Sequence, residues 1–331
     1  MRYLLVVTMN AFFRAKHMAA KGSESHLKIG MAIHTTLSIV NKSVLKENVD
    51  HVIFCLEGRS WRKDFYEPYK RNRDVLKQKR TPKEIKEDEE FFEAYGHFTE
   101  YLTERTNCTV LQNHVAEADD MIARWIQTHP NDTHIILSSD SDFHQLLSET
   151  VYQYNGLASQ LITVHGIFGD NDKPVIDKKT QEPKEPPNPE WVLFEKCIRG
   201  DSADNVFSAY PGVRKKGSAK RTGLLEAFAD KPTRGYDWNN LMQQTWTDHE
   251  GAEHVVKEDY ERNKTLIDLT KQPEYVIEKI DEAIELAEHP KDIAKVGLMF
   301  MRFCSKYDLN TISGFSKQYT AWLSSSYGEQ I

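Results

Sequence analysis

The sequence predicts an α/β fold with a mainly parallel central sheet flanked by helices. Short apolar runs rich in β-branched residues have the character of buried strands, and amphipathic helical patterns lie between them. Strands that alternate with helices are typical of a parallel sheet. We expect strands at 3–7, 51–55, 109–111, 134–137 and 151–154. Among the helices, we expect 28–40, 82–102, 118–128, 191–198, 224–229, 257–269, 276–287 and 291–304.

The composition excludes several classes of protein. Hydrophobic residues make up 39% of the 331 positions, which argues against disorder, and no apolar run is long enough to cross a membrane. The four cysteines are widely spaced and form no zinc-finger pattern, so we expect reduced thiols in a cytoplasmic compartment. The net charge of −7 conceals strong local asymmetry, with basic runs at 59–80 and 214–221.

We predict a division of the chain into an α/β domain and a helical region. The α/β domain covers residues 1–168 and includes a charged segment at about 60–95. A Pro-rich, charged stretch at 169–190 is expected to form a surface loop or an irregular hairpin. Residues 191–331 form the helical region.

Acidic residues occur in three tight groups, and a further acid follows the second strand. Because like charges about 4 Å apart cost roughly 4 kcal/mol at an effective dielectric near 20, gathered carboxylates need cations. Hard divalent ions prefer such oxygen ligands. Three of the first four predicted strands deliver acids to the carboxyl edge of the sheet, where ligands bind in open parallel sheets. The acids are Glu57; Glu117, Asp119 and Asp120; Asp140 and Asp142; and Asp201 and Asp204.

Each acidic group also has a structural explanation. Acids at 117–120 suit a helix N-terminus, those at 140–142 suit a turn and cap, and those at 201–204 suit an Asx turn. Their occurrence together favours a shared cation site. The first strand delivers no acid, because Val7 and Thr8 stand where the pattern predicts one.

Two basic stretches indicate a nucleic-acid partner. Residues 59–73 interleave Trp61, Phe65, Tyr66 and Tyr69 with Lys and Arg, so that aromatic rings could stack on bases while cations hold phosphates. Residues 210–220 form a glycine-bearing turn whose amides could face a phosphate backbone. The simpler interpretations are that residues 59–73 are a solvated charged face and that residues 210–220 are a generic loop.

Together these motifs resemble the flap endonuclease and 5′→3′ exonuclease family, and its bacteriophage RNase H-type members in particular. The resemblance runs from the first strand to about Phe228. It rests on Asn10 with Phe12-Phe13-Arg14, Trp61-Arg62 through Arg73, Glu117-Ala118-Asp119-Asp120, Ser138-Ser139-Asp140-Ser141-Asp142, and Gly200-Asp201 through Asp204-Asn205 followed by Pro211-Gly212-Val213. It implies a PIN-like or resolvase-like sheet, a helical arch within 60–95, and a helix-three-turn-helix-like element in the helical region.

The resemblance also implies roles for individual residues. Glu57, Glu117, Asp119, Asp120 and Asp140 would serve the first of two Mg²⁺ ions, for which Mn²⁺ can substitute, and Asp142, Asp201 and Asp204 would serve the second. Lys70 and Arg73 would contact the scissile phosphate as catalytic residues, and a K⁺ ion is expected at the 212–220 turn. Nucleic-acid contacts are expected from Arg14, Arg62, Tyr69, Lys77, Arg80, Gly212, Lys215, Lys216, Gly217 and Lys220.

The implied activity is removal of RNA primers and 5′ flaps during phage DNA replication. Expected partners are DNA with a 5′ flap or nick, RNA–DNA hybrids, and a single-strand-binding protein or other replisome components. We expect a monomer without membrane association in the cytoplasm, that of the host cell if the chain is phage-encoded. Val7 stands where the family has an Asp, and valine cannot ligate a metal, so activity is expected to be impaired.

Two alternatives remain at this point. A non-catalytic protein of the same fold could bind DNA structures without cutting them. A single-strand ribonuclease of the same general sheet type would not need the arch-like segment or the Pro-Gly-Val element.

Overall fold

The computed structural model describes residues 1–18, 25–218, 221–329 and 331. For residues 14–18 and 25 it describes the backbone only. The chain forms two compact units. The first contains Met1–Ser60, Arg80–Pro186 and Pro273–Ile331, and the second contains Trp61–Lys79 and Pro187–Gln272. These units differ from the boundaries drawn from the sequence, because the last helices group with the sheet and residues 61–79 group with the helical unit.

The described residues contain nine strands and fourteen α-helices. The strands are β1 (Arg2–Val7), β2 (His51–Cys55), β3 (Thr109–Leu111), β4 (Thr133–Leu137), β5 (Val151–Asn155), β6 (Gln160–Ile162), β7 (Ile167–Phe168), β8 (Thr245–Thr247) and β9 (Glu253–Val255). The first helices are α1 (Thr8–Met18), α2 (Ser25–Glu47), α3 (Arg62–Phe65), α4 (Arg71–Gln78), α5 (Pro82–Arg105), α6 (Ala118–Thr128) and α7 (Pro189–Arg199). The remaining helices are α8 (Leu224–Asp230), α9 (Tyr236–Met242), α10 (Val256–Ile267), α11 (Glu274–Ala287), α12 (Val296–Lys306), α13 (Asn310–Gly314) and α14 (Ser316–Ser324). A 3₁₀ helix, Ser141–Leu146, follows β4.

In the part of the chain that the structure describes, β1–β7 form one sheet in the order β3-β2-β1-β4-β5-β6-β7. The pairings from β3 to β5 are parallel, and β6 and β7 add antiparallel pairs at one edge. In the central strand, Val6 is opposite Phe54 of β2 and Leu137 of β4. The predicted mainly parallel sheet flanked by helices is therefore confirmed, and so is the helical C-terminal region.

The five predicted strands are present, and α6 has the predicted bounds. The expected helix at 291–304 begins later, at Val296. Tertiary contacts hold the preceding residues out of the helix: Lys291 Nζ donates to the backbone oxygen of Cys108 (2.8 Å), and the Ile293 amide donates to Asn107 Oδ1 (2.8 Å). Two bridges, Phe168 with Pro174 and Ile176 with Pro183, make the 169–190 stretch an irregular hairpin.

Each unit has its own hydrophobic core. In the first unit, helices α2, α5, α12 and α14 cover the sheet, and Phe98, Phe300 and Trp322 are fully buried with the strands. Burying such a side chain contributes about 1.5–3 kcal/mol, which explains why the C-terminal helices belong to this unit. In the second unit, Phe194 of α7 packs 6.1 Å from Tyr260 of α10, measured between ring centroids. No described helix is both long and apolar enough to cross a membrane.

Two buried histidines lie at the amino ends of β2 and β4. His51 Nε2 is 2.8 Å from Thr109 Oγ1. His134 lies beside Tyr3, and neither of its ring nitrogens has a hydrogen-bond partner among the described residues. Burial lowers the pKa of both histidines to about 4, with Lys291 adding to the effect at His51 and His129 at His134. Both rings are therefore neutral in the folded chain near neutral pH.

We predict that the first unit loses stability as pH falls from about 6.5 to 4. Between these values the unfolded chain binds protons on His51 and His134 and the folded chain does not, so each histidine removes up to roughly 3 kcal/mol. The loss is complete near the folded pKa and absent above the unfolded one. Chemical denaturation at a series of pH values measures it. His134→Phe should remove about half of the loss.

The exposed His249 provides the control, because its ring is 90% accessible. His249→Asn should leave the pH dependence unchanged. A His134→Phe chain with the wild-type pH dependence would contradict the assignment.

Candidate active site

The carboxyl edge of the sheet positions most of the predicted acids. Strand β1 lies between β2 and β4, so the carboxyl ends of these three strands are neighbours. Glu57 follows β2 by two residues, and Asp140 follows β4 by three. Because adjacent strands are about 4.8 Å apart, the two connections leave the sheet roughly 10 Å from each other, on either side of β1.

The loop after β2 contacts the start of α6. Glu57 Oε2 accepts a hydrogen bond from the Ala118 amide (3.2 Å), and Ser60 Oγ donates to Glu117 Oε2 (2.9 Å). Gly58 makes this approach possible, because a Cβ there would lie only 1.8 Å from the backbone oxygen of Asn113. These contacts bring Glu57 and Glu117 to the same place on the edge.

Helix α6 and its N-cap residue supply three of the acids. Asp120 is fully buried, and its carboxylate accepts a hydrogen bond from the Glu117 amide (3.2 Å), so the predicted helix-capping role is real. Glu117 is 8% exposed. Burial raises the pKa of the Cys55 thiol at the end of β2, and the carboxylates of Asp119 and Glu57 raise it further. The thiol therefore stays protonated and is not a candidate metal ligand.

The acids after β4 lie on a short, well-braced turn. Asp140 caps the 3₁₀ helix, since its Oδ1 accepts a hydrogen bond from the Asp142 amide (3.1 Å). The buried side chain of Gln153 donates from Nε2 to the backbone oxygens of Ser138 (3.0 Å) and Asp140 (2.7 Å). Gln153 was not predicted from the sequence, and its position on β5 beside β4 is the signal that could have indicated it. These bonds fix the backbone from which both carboxylates project.

Val7 ends the central strand of this edge. Its Cα is opposite Cys55 of β2, and its side chain is 4% exposed. Thr8, which begins α1, is fully buried, and its hydroxyl donates to the backbone oxygen of Val6 (3.3 Å). The central position of the edge, between the connections that carry Glu57 and Asp140, is therefore apolar.

The donor set of this edge fits a hard divalent cation in its chemistry, because it consists of carboxylate oxygens and excludes the Cys55 thiolate. The buried Oε1 of Gln153, without a partner among the described residues, is a further oxygen acceptor beside Asp140. Across the described residues, however, no three His, Cys, Asp or Glu side chains form a group that could hold a metal ion. The acids share an edge but do not form a preassembled cage.

In the second unit, Asp201 is neutralised by Lys196. Lys196 Nζ donates to Asp201 Oδ2 (2.8 Å), and Asp201 Oδ1 accepts from the Ala203 amide (2.8 Å), which is the predicted Asx turn. Burial would raise the pKa of Asp201, but the hydrogen bond and charge of Lys196, together with hydrogen bonds from the backbone amides of Ala203 and Asp204, lower that pKa overall. Lys196 was not predicted as part of the site.

Asp204 is the centre of a second cluster within this unit. Its carboxylate accepts hydrogen bonds from Tyr69 OH (3.0 Å) and Arg73 Nη2 (2.6 Å), and Lys70 Nζ is 3.5 Å away. The two predicted catalytic cations therefore lie together on one carboxylate. Tyr69 is 5% exposed, with the Lys70 ammonium 5.0 Å from its ring centroid. A ring covered in this way cannot stack on a base in this conformation, so the structure does not support the predicted stacking role.

Arg62 is a correction to the sequence analysis. The prediction placed it on a nucleic-acid surface, but it is 1% exposed. Its Nε donates to the backbone oxygen of Leu266 (2.7 Å), and its guanidinium lies 4.7 Å from the centre of the Trp61 ring. The side chain joins α3 to the end of α10 and has a structural role. Charge alone could not reveal this in a basic run.

The remaining predicted contacts are distributed over both units. Lys77 is exposed beside Asp74, and Arg80 pairs with Asp88. Lys215 and Lys216 are exposed on the turn after α7, where Gly212 has a φ of 73° and Gly217 donates its amide to Glu226. This turn lines a cavity of about 590 Å³ with Arg214, Arg221 and Asn240. The Arg14 side chain and Lys220 lie outside the described residues.

The fold is a mostly parallel sheet with carboxylates along its carboxyl edge, joined in sequence to a helical unit with a cationic turn. This combination is typical of resolvase-like nucleases. A family model described as the 5′-3′ exonuclease N-terminal resolvase-like domain matches residues 2–177. The chain belongs to the 5′-3′ exonuclease family.

Known relatives agree with this placement. The chain is 30% identical to DNA polymerase I of Rhizobium leguminosarum over 184 residues, which are 55% of this chain but only 15% of that protein. It is 29% identical to flap endonuclease Xni of Shewanella loihica over 231 residues, 69% of this chain and 77% of the relative.

Solved structures show the same fold at lower identity. The bacteriophage T5 D15 flap endonuclease, in a pseudo-enzyme-product complex with DNA and metal ions, matches with a TM-score of 0.60 at 20% identity, over 87% of this chain and all of that one. The T5 5′-exonuclease with bound divalent zinc ions matches to the same extent.

We predict that Arg62 contributes to stability. Arg62→Leu leaves the buried Leu266 carbonyl without its donor, which should cost about 1–3 kcal/mol. Chemical denaturation followed by tryptophan fluorescence measures the change. Arg105→Gln, at a half-exposed position, is the control and should change stability by less than about 0.5 kcal/mol. Unchanged stability in Arg62→Leu would contradict the structural role.

Proposed function

We propose that this chain acts as a metal-dependent, structure-specific 5′ nuclease that removes RNA primers and 5′ flaps in phage DNA replication. The observation that carries the proposal is that Glu57, Glu117 and Asp140 lie at one edge of the sheet, in a chain of the 5′-3′ exonuclease family. The substrates would be DNA with a 5′ flap or nick and RNA–DNA hybrids. The relatives named flap endonuclease support this substrate class.

In this proposal the acids of the first unit bind Mg²⁺ or Mn²⁺. Glu57, Glu117, Asp119, Asp120 and Asp140 would take part in the first site, and Asp142 in the second; the assignment of Asp201 and Asp204 to the second ion stays a prediction. When bound, two such ions supply an activated water and stabilise the leaving oxygen of a phosphodiester. The Ser60 hydroxyl orients Glu117 through its 2.9 Å hydrogen bond. Gln153 holds the turn that presents Asp140 and Asp142.

The proposed contacts to the substrate come from cations. Lys70 and Arg73 would hold a phosphate, which suits an ammonium and a guanidinium whose present partner is also an oxyanion. Exposed Lys77, Lys215 and Lys216 would add contacts to the phosphate backbone that position the substrate without reading its sequence. A K⁺ ion at the 212–220 turn remains part of the proposal.

Val7 favours a second candidate function, a DNA-structure-binding protein that does not hydrolyse its ligand. An apolar side chain at the centre of the acidic edge removes one anionic ligand. The cationic turn and the arch segment do not depend on that ligand, so DNA binding would persist. The two candidates differ only in hydrolysis, which makes activity the deciding measurement.

We predict that the purified chain with Mn²⁺ cleaves a 5′-flap duplex and leaves unstructured RNA of the same length intact. Asp142→Asn, which removes a carboxylate charge but keeps the shape, should lower the rate by on the order of 100-fold. Denaturing electrophoresis of end-labelled substrates measures both. Asp248→Asn, in the loop between β8 and β9, is the matched control and should retain the wild-type rate. Equal cleavage of both substrates would favour the single-strand ribonuclease, and binding without cleavage would favour the second candidate.

We also predict that Val7→Asp strengthens cation binding by about tenfold, the effect of one further anionic ligand worth roughly 1.4 kcal/mol. Without a cation, the same change should lower the melting temperature, because it adds a buried charge beside other acids, and Mn²⁺ should restore it. Calorimetric titration and thermal unfolding measure the two effects. Val7→Thr, similar in shape but uncharged, is the control. Equal Mn²⁺ affinity in all three chains would refute the role of position 7.

A further inference from the structure

The Asp204 carboxylate has a set of partners that is typical of a bound phosphate. A phenol, a guanidinium and an ammonium converge on it: Tyr69 OH at 3.0 Å, Arg73 Nη2 at 2.6 Å and Lys70 Nζ at 3.5 Å. Tyr, Arg and Lys side chains are also common donors to the phosphates of nucleic acids. Carboxylate and phosphate therefore compete for the same donors.

The backbone of this cluster is held independently of the Asp204 side chain. The Lys70 amide donates to the backbone oxygen of Asp204 (2.8 Å), and Asn205 Nδ2 donates to the backbone oxygen of Pro68 (2.7 Å). Asn72 Nδ2 donates to the backbone oxygens of Ser202 (3.1 Å) and Ala203 (3.3 Å). Lys70 and Asn205 both adopt the left-handed conformation that this close pairing requires, with φ of 57°. The backbone that carries the three donors is thus held in place when the carboxylate changes partner.

The exposure of Arg73 also permits its carboxylate partner to be exchanged for a phosphate. The Arg73 side chain is 53% exposed, so a ligand can reach its guanidinium from solvent, whereas Lys70 and Asp204 are 16% and 17% exposed. Because the Arg73 end of its pair with Asp204 is open to solvent, water screens that pair and it contributes little to stability. A phosphate on a nucleic-acid strand can therefore displace the carboxylate.

We infer that Asp204 is an internal competitor for the phosphate-binding donors Tyr69, Lys70 and Arg73. In the free chain its carboxylate occupies the place of a phosphate, and binding of a nucleic-acid strand transfers Arg73 and Lys70 from the carboxylate to the phosphate. This inference rests on the proposed function, because it takes the ligand to be a nucleic-acid phosphate. It adds a role for Asp204 that operates without any metal ion. The consequence is weaker, more selective binding: a strand must offer a phosphate in the right position to replace the carboxylate.

The test is the affinity for a 5′-flap duplex in the presence of EDTA, measured by fluorescence anisotropy. Asp204→Asn should bind about three- to fivefold more tightly than the wild type, because position 204 no longer competes with the phosphate for Arg73 and Lys70. In an Arg73→Gln, Lys70→Gln background, the same Asp204→Asn change should have no effect on affinity.

The matched control is Glu195→Gln. Glu195 belongs to the same unit and pairs with Arg199 at 2.9 Å, so its change removes the same charge and frees a cation elsewhere. It should leave the affinity within about twofold of the wild type. An equal gain from Glu195→Gln, or a gain from Asp204→Asn that persists without Lys70 and Arg73, would show a general charge effect and overturn the inference.

The remaining outcomes are also decisive. A wild-type chain that does not bind the flap duplex at all would remove the proposed function, whereas binding without a gain in Asp204→Asn would remove only this inference. Circular dichroism and thermal unfolding check that the variant folds, and Asp204→Ser is the second variant, with the same expected gain. If neither variant folds, the carboxylate is indispensable to the structure and cannot be exchanged, which also overturns the inference.

Discussion

The parallel pairing of β1 between β2 and β4 is the constraint on which the first unit depends. Leu4, Leu5 and Val6 are fully buried, so the central strand is covered on both faces and cannot carry charged groups along its length. Polar chemistry is therefore confined to the strand ends. Because the strands run in the same direction, their carboxyl ends meet at one edge, and the connections that carry Glu57 and Asp140 leave from it side by side.

Much of this fold could be predicted because its signals are local. Apolar runs of four or five residues identify strands that are buried on both faces, and α6 has an acidic N-terminus followed by one apolar face. The elements that sequence reasoning missed are short or depend on distant residues. Strands β6 and β7 have three and two residues, and they exist because they extend the edge of a sheet already formed. The late start of α12 depends on Lys291 and Ile293, which bond to groups more than 180 residues away.

The same distinction between local signals and distant contacts applies to the candidate site. The acids could be found from their positions after strands, but their partners could not. Arg62 and Arg73 look alike in a basic run, yet one is buried against Trp61 and the other pairs with Asp204 at the surface. Several acids also have the local structural role that was the alternative to cation binding. Asp120 and Asp140 cap helices, and Asp201 forms an Asx turn. The two readings are compatible, because a carboxylate has two oxygens and about four lone pairs, so one oxygen can cap while the other faces a ligand.

Val7 shows how stability and cation binding oppose each other on this edge. An aspartate at a position that is 4% exposed, between connections that carry other acids, would need a cation to offset both desolvation and repulsion. A valine of similar size packs there without one. The first unit can therefore complete its core without any bound ion, and its remaining acids are held by hydrogen bonds from Ser60, from the Ala118 amide and within α6. Under the proposed function, the fold would therefore not depend on the cation, and changes in metal binding should alter hydrolysis without dismantling the edge that would bind the metal.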